Sequence, residues 1–200
     1  MGPGAALTGG GAPIRIGYTP AVLSELDILR DVGQRLERAG VPYMLTGSLA
    51  LAYYAQPRMT RDIDLVIAVD RVDAPALQEL FGDVYYVSTE DIARALHSEG
   101  MFNVLHLESV VKVDLVIRKR DEYRKLEFER RRRVDLAGVM TWIVSKEDLI
   151  LSKLVWSRDS GSELQRRDVR ALLETGPDQA YLRRWAPTLG VTDLLAELTP

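Results

Sequence analysis

Apolar residues recur at helical spacing from Ala21 to Ala39, with Val22, Leu23, Leu26, Leu29, Val32 and Leu36 on one stripe and Gly40 ending the run. The pattern then shortens. Val41 to Leu45 reads as a strand, Ser48 to Ala55 as a helix opened by a Gly-Ser pair, and Asp62 to Ala68 as a strand that is apolar on both faces once past its carboxylates, as an inner strand should be. Ala74 to Phe81 reads as a return helix. Val84 to Val87, Phe102 to Leu107 and Val110 to Arg118 supply further strands, with a helix over Asp91 to His97 between the first two.

Beyond Arg118 the character changes. A charged stretch from Lys119 to Arg133 leads to a short strand over Met140 to Val144, and helices follow to the end. Ser145 with Asp148 makes a capping box for a helix running to Trp156, and Ser162 with Gln165 opens another that Gly176 and Pro177 close. Shorter helices are expected over Gln179 to Ala186 and Asp193 to Leu198. Strands followed by helices, with no internal repeat, predict an α+β fold: a mixed, partly antiparallel sheet with helices on one side and a C-terminal helical region.

Two hundred residues at 46% hydrophobic content are enough for one packed core. The net charge of −3 gives no global attraction to polyanions, so any such binding needs a local patch. One exists: Arg118 to Arg133 holds nine Lys or Arg against four Asp or Glu. A run of this kind is usually a solvated face; placed just after an apolar strand that carries a carboxylate, it would also follow a nucleic-acid backbone. The absence of cysteine excludes disulfide and thiolate chemistry. No apolar run approaches the roughly 20 residues that span a bilayer, and the opening lacks the form of a secretory signal, so a cytoplasmic protein without membrane attachment is expected. The Gly-rich opening, residues 1–19, reads as a flexible tail.

Candidate chemistry lies in Thr46-Gly47-Ser48, then Asp62-Ile63-Asp64 at the mouth of one apolar strand, then Asp114 in Val113-Asp114-Leu115-Val116-Ile117. Strand side chains alternate with a period of two, so Asp62 and Asp64 share a face. Carboxylates about 4 Å apart repel by roughly 4 kcal/mol at an effective dielectric of 20 and need a counter-charge. A pair of Mg2+ ions provides one, because Mg2+ favours a few carboxylates together with phosphate oxygens. Gly47 lets the backbone approach a phosphate, and the helix after it aims free amides and a positive dipole end there. Taken singly, each motif is weak: Gly-Ser before a helix is most often only a cap.

Jointly the pattern resembles the nucleotidyltransferase superfamily that includes DNA polymerase beta, with thirteen residues between Ser48 and Asp62. Within it, Gly47-Ser48-Leu49-Ala50-Leu51 and Arg58-Met59-Thr60-Arg61-Asp62-Ile63-Asp64 are most similar to the AbiEii-type abortive-infection and toxin-like members. Ser145-Lys146-Glu147-Asp148-Leu149-Ile150, Lys153-Leu154 and Gln165-Arg166-Arg167-Asp168-Val169 look like their later motifs. The likeness covers roughly Val41 to Leu173. The chain lacks the Gly-Ser-x-Ala-Arg-Gly of the small antitoxin-like branch. The resemblance implies a nucleotidyltransferase core over 20–119 and a cleft-closing helical region over 120–200. It further implies two Mg2+ ions held by Asp62, Asp64 and Asp114, nucleotide contacts from Gly47, Ser48 and Arg61, and a pocket completed by Lys153 and Asp168. The expected activity is transfer of a nucleoside monophosphate from an NTP to a hydroxyl acceptor, with pyrophosphate leaving. The acceptor implied is tRNA or another RNA, with an antitoxin protein as a possible partner. An aminoglycoside- or lincosamide-like antibiotic acceptor, or a nucleotide-binding regulatory protein without turnover, are the alternatives.

Several residues keep a plain reading beside the sharper one. Lys153 sits among Leu149, Ile150, Leu154 and Val155 and would either reach phosphate or snorkel over apolar surface. Asp168 interrupts its helix's apolar stripe and needs a partner: Lys153 or a metal-bound ligand on one reading, Arg167 or another helix on the other. Arg61 would meet a triphosphate, whereas Arg58 balances nearby carboxylates. A two-residue turn at Glu108-Ser109 would pair Leu105 with Lys112 and Asn103 with Asp114, placing Asn103 and Lys112 on the carboxylate face. His106 is expected in the core or behind the site, and His97 at an exposed helix end.

Overall fold

The first helix starts where it can be capped. Ser24 accepts from the Asp27 amide while Asp27 accepts from the Ser24 amide, and α1 (Glu25–Arg38) runs on with Ile28, Leu29, Val32 and Leu36 buried. The computed structural model describes residues 24–55, 62–69 and 72–199. The expected N-terminal tail and the two arginines Arg58 and Arg61 lie outside the described residues.

Then follow β1 (Tyr43–Thr46), α2 (Gly47–Tyr54), β2 (Asp62–Ile67), α3 (Ala74–Glu79), a 3-10 turn at Gly82–Val84, β3 (Tyr85–Tyr86), α4 (Thr89–Ser98), β4 (Met101–His106) and β5 (Lys112–Ile117). The second half comprises α5 (Glu122–Glu129), β6 (Arg132–Leu136), β7 (Val139–Ile143), α6 (Lys146–Ser160), α7 (Glu163–Leu173), α8 (Gln179–Leu189) and α9 (Thr192–Leu198). One seven-stranded sheet has the order β3-β4-β5-β2-β1-β7-β6. It is mixed: β2 is antiparallel to β1 but parallel to β5, and β1 is parallel to β7.

The charged stretch departs from expectation. It is not one solvated run, because Asp121 caps α5 and Arg132–Leu136 forms the edge strand β6, paired antiparallel with β7. Arginines are tolerated on β6 because it is an edge, where charge also discourages pairing with another chain. Both arginines of the strand and the one just before it lie near aromatic faces: Arg131 is 4.3 Å from the Phe128 ring centroid, Arg132 is 5.8 Å from Tyr54, and Arg133 is 6.0 Å from Trp142.

Register in the central strands is fixed by burial. Ile63, Leu65 and Ile67 are fully buried on one face of β2, each worth about 1.5–3 kcal/mol, while Asp62, Asp64 and Val66 occupy the other. A one-residue slip would put the carboxylates in the core. The β4–β5 hairpin pairs Asn103 with Asp114 and Leu105 with Lys112, as anticipated, but through a longer loop. The His106 carbonyl accepts from the Val110 amide, so the loop is Leu107–Val110, with Val110 at φ 57°. Four residues preserve the parity that two would give. His106 is buried at the loop base, where its Nδ1 accepts from the Ser109 amide at 3.1 Å and its ring meets Tyr85 edge-on. His97 is exposed in the last turn of α4.

The helices of the second half are joined to one another through polar contacts at α6. Ser145 caps that helix, but the Asp148 carboxylate, fully buried, is drawn inward instead of only closing a capping box. It accepts from Tyr123, Tyr181, Arg130 and the Ser145 hydroxyl, tying α5, α6 and α8 together. Gln165 is likewise diverted: its side chain turns to Lys153 on α6.

Candidate active site

Asp64 and Asp114 stand directly opposite each other on the parallel strands β2 and β5. The adjacent pair is Asp62 opposite Lys112. Period-two alternation thus gathers three carboxylates and one ammonium on the face away from Ile63 and Leu65. The Lys112 Nζ lies 3.1 Å from Asp114 Oδ2 and 3.8 Å from Asp62 Oδ1. Burial alone would lower the Lys112 pKa, but its hydrogen bond to Asp114 and the surrounding carboxylates raise it, so the ammonium holds its proton firmly. Asn103 sits across from Asp114 on β4, exposed.

The Asp64 pKa is raised as well, which for a carboxyl disfavours the charged form. Burial raises its pKa first, the Asp114 and Asp62 charges add to that, and Lys153 together with the Ser48 amide partly offsets them. One oxygen of Asp114, Oδ1, is buried with no hydrogen-bond partner among the described residues. An orphaned carboxylate oxygen beside a second carboxylate fits a hard cation by donor chemistry. Among the described residues, however, no three carboxylate or histidine side chains converge closely enough to hold a single ion. Asp62 is the outlier, more than half exposed at the start of β2.

The Gly-Ser pair is positioned by Asp64. Gly47 has φ +65°, and a β-carbon there would lie 1.9 Å from Asp64 Oδ2, so only glycine fits. The Ser48 amide, at the start of α2, helps to hold the Asp64 carboxylate in its charged form, and the Ser48 side chain is buried. Strand β1, the turn and strand β2 are thereby locked at the point where the carboxylates emerge.

Lys153 and Asp168 form a buried pair between α6 and α7. The Lys153 Nζ is 2.8 Å from Asp168 Oδ2 and 3.0 Å from Gln165 Oε1, with both charged side chains about 95% removed from solvent. Lys153 also borders the cavity described next and acts electrostatically on Asp64, whereas Asp168 stands behind it.

A cavity of about 340 Å3 opens between the carboxylate face of the sheet and helices α5 and α6. Gly47, Asp64 and Lys153 mark one end; Val66, Val116, Met101 and Trp156 supply apolar walls. Arg124 and Glu127 line it from α5. The Glu127 carboxylate is buried, accepts from Arg124 at 2.8 Å and from the Ser152 hydroxyl, and has its pKa raised chiefly by burial. None of Trp156, Arg124 or Glu127 stood out from the sequence. The i, i+3 spacing of Arg124 and Glu127 was the available signal, masked by the surrounding charges. Of the expected site residues, the fold brings Gly47, Ser48, Asp64, Asp114 and Lys153 together, places Asp62 at the rim and Asp168 behind.

No protein-family model matches the sequence. No curated protein matches it either. Solved structures do share its architecture. An antigenic nucleotidyltransferase-like protein from Paracoccidioides brasiliensis superposes with TM-score 0.54 at 17% identity, covering 89% of this chain and 94% of that one. The antibiotic-resistance factor ANT(2'')-Ia superposes with TM-score 0.55 at 12% identity, covering 82% and 94%. At such identities the likeness is one of fold: the chain has the mixed-sheet architecture of nucleotidyltransferase-like proteins. Among the described residues no helix is long and apolar enough to cross a membrane.

Proposed function

We propose that the chain is a Mg2+-dependent nucleotidyltransferase that moves a nucleoside monophosphate from an NTP to a hydroxyl acceptor. The observation that carries this reading is the Asp64–Asp114 pair, opposite in register, with the Gly47 turn packed against Asp64 and a cavity alongside. An acceptor oxygen attacks the α-phosphorus, its proton passes to Asp114, and the bond to the bridging oxygen breaks so that pyrophosphate leaves with the electron pair. Asp64 and Asp114 would hold the cation, with Asp62 contributing from the rim. Bound Mg2+ supplies the positive charge that lets triphosphate approach these carboxylates and that stabilises the leaving group. Lys153 directs positive charge at the same end of the cavity, with Asp168 fixing its position. Gly47 and Ser48 shape the backbone there, and Arg61 is assigned to the triphosphate from the sequence alone.

The acceptor we favour is RNA, with a tRNA end first. Lys119, Arg120 and Lys125 are exposed on the segment leading from β5 into α5, with Lys119 lining the cavity, and supply basic groups able to follow a phosphate backbone. On this reading the protein is the toxic member of a toxin–antitoxin or phage-defence pair, restrained by an antitoxin protein in the cytoplasm. The second reading, an antibiotic acceptor, draws on the fold shared with ANT(2'')-Ia. Purified protein incubated with each labelled NTP, Mg2+, total tRNA and a panel of aminoglycosides and lincosamides separates them. Label on RNA is expected, with RNA affinity falling steeply as salt rises. Label on an antibiotic alone would replace the RNA reading. Nucleotide binding without any transfer would make the chain a regulatory nucleotide-binding protein.

A further inference from the structure

The cavity's second half has no role in the transfer chemistry, and its composition is unlike the first. Two residues along from the carboxylate row, on the same sheet face, Val66 and Val116 pair in register and Met101 pairs with Val116 from β4. This apolar row lies about 6.6 Å from the carboxylates, two strand residues of about 3.3 Å each. Opposite it, α6 presents Leu149, Lys153 and Trp156 at helical spacing, all lining the cavity. Trp156 is 54% exposed and Met101 53%, and the charged Arg118, Lys119 and Asp159 line the same cavity beside this apolar row.

A tryptophan half-open to solvent in a cavity that two valines also line has ring surface left for a ligand to cover. The ligand that matches this cavity carries negative charge at one end and a flat, largely apolar ring one sugar away at the other, which describes a nucleoside triphosphate. A volume of about 340 Å3 lies at the lower end of small-molecule sites and suits one nucleotide more than a polymer. We infer that Trp156, which lines the cavity together with Val66, Val116 and Met101, is the platform on which the base of the NTP stacks. This rests on the nucleotidyltransferase reading above and adds the residue that distinguishes a nucleotide from bare triphosphate. Stacking on one aromatic face is tolerant of base identity, so Trp156 supplies affinity for the ring and leaves the choice among bases to polar groups at the rim.

Calorimetric titration of the full chain in Mg2+ with ATP, GTP, CTP, UTP and inorganic triphosphate tests it. Trp156→Ala should weaken the preferred nucleotide by about 5- to 150-fold while leaving inorganic triphosphate unchanged, and Trp156→Phe should recover most of the loss. Unchanged melting temperatures confirm that both variants fold. Nucleotide affinity that is unaltered in Trp156→Ala, or that falls in step with inorganic triphosphate, overturns the platform, as does a rise in acceptor KM alone. Wild-type protein that binds none of the four nucleotides instead overturns the nucleotidyltransferase reading itself.

Discussion

Asp64 Oδ2 occupies the space that a β-carbon on Gly47 would need, 1.9 Å from its position. The turn at Gly47 and the carboxylate of Asp64 are therefore one unit: the glycine is there so that the carboxylate can be. Gly47→Ala should cost at least ~1–2 kcal/mol in urea denaturation from the left-handed backbone alone, with a further loss from displacing Asp64. Transfer activity should fall by more than about 100-fold, because displacement of a reacting group by about 1 Å is enough for that. A variant with wild-type stability and activity would show that the close approach is not required.

The Asp64–Asp114 pair places two carboxylates side by side, an arrangement that serves function at the expense of stability. Asp64→Asn and Asp114→Asn, measured in EDTA, should be at least as stable as the parent in thermal melts. Both should lose transferase activity, Asp114→Asn by about 10²- to 10⁴-fold if it takes the acceptor's proton. A marked loss of stability in either variant would reassign the carboxylates to a structural role.

These two residues were legible in the sequence because strand periodicity is strict: Asp62 and Asp64 must share a face, and Asp114 at the same depth of an equally apolar strand joins them. The hairpin register was legible for a weaker reason, since both a two-residue and a four-residue loop keep Asn103 opposite Asp114. What stayed hidden has a physical cause in each case. The helix Glu122–Glu129 and strand Arg132–Leu136 lie in a run where charge overwhelms hydrophobic periodicity, and their order comes from Asp121 capping, aromatic faces under the arginines and pairing with β7. The capping signals at Ser145 and Ser162 correctly started α6 and α7. They gave no hint that Asp148 and Gln165 would turn into buried tertiary networks, because those partners come from distant elements.

A pH response is built into the junction of α1 and β3. Asp31 accepts from Arg35 Nε and from the Tyr85 hydroxyl, each at 2.7 Å. Burial works to raise the Asp31 pKa, but the Arg35 and Tyr85 hydrogen bonds outweigh it and hold the carboxyl below its ordinary value. The contribution is thus present above the unfolded pKa of about 3.9 and lost as pH falls through the lower folded value. Tyr85 is shifted upward, by burial first and then by Asp31, so its contribution is present below about pH 10 and lost as pH climbs beyond it. The urea-midpoint difference between wild type and Asp31→Asn should be plain at pH 7 and shrink toward pH 3. An equal difference at both pH values would show that Asp31 acts through packing and not through its charge.

Lys153 and Asp168 pose the question of whether a buried ion pair serves the fold or the cavity. Removing one partner leaves an uncompensated charge in a site about 95% shielded from solvent, so Lys153→Met and Asp168→Leu should each destabilise by about 3–5 kcal/mol. Removing both eliminates the stranded charge, and the double variant should regain most of that stability, giving a large coupling energy in the cycle. Activity separates the roles. Lys153 alone of the two borders the cavity and bears on Asp64, so the restored double variant should remain impaired, with its NTP KM raised. If the stable double variant instead turned over normally, the pair would be a strut between α6 and α7, and the positive charge at the phosphate end of the cavity would have to come from another residue.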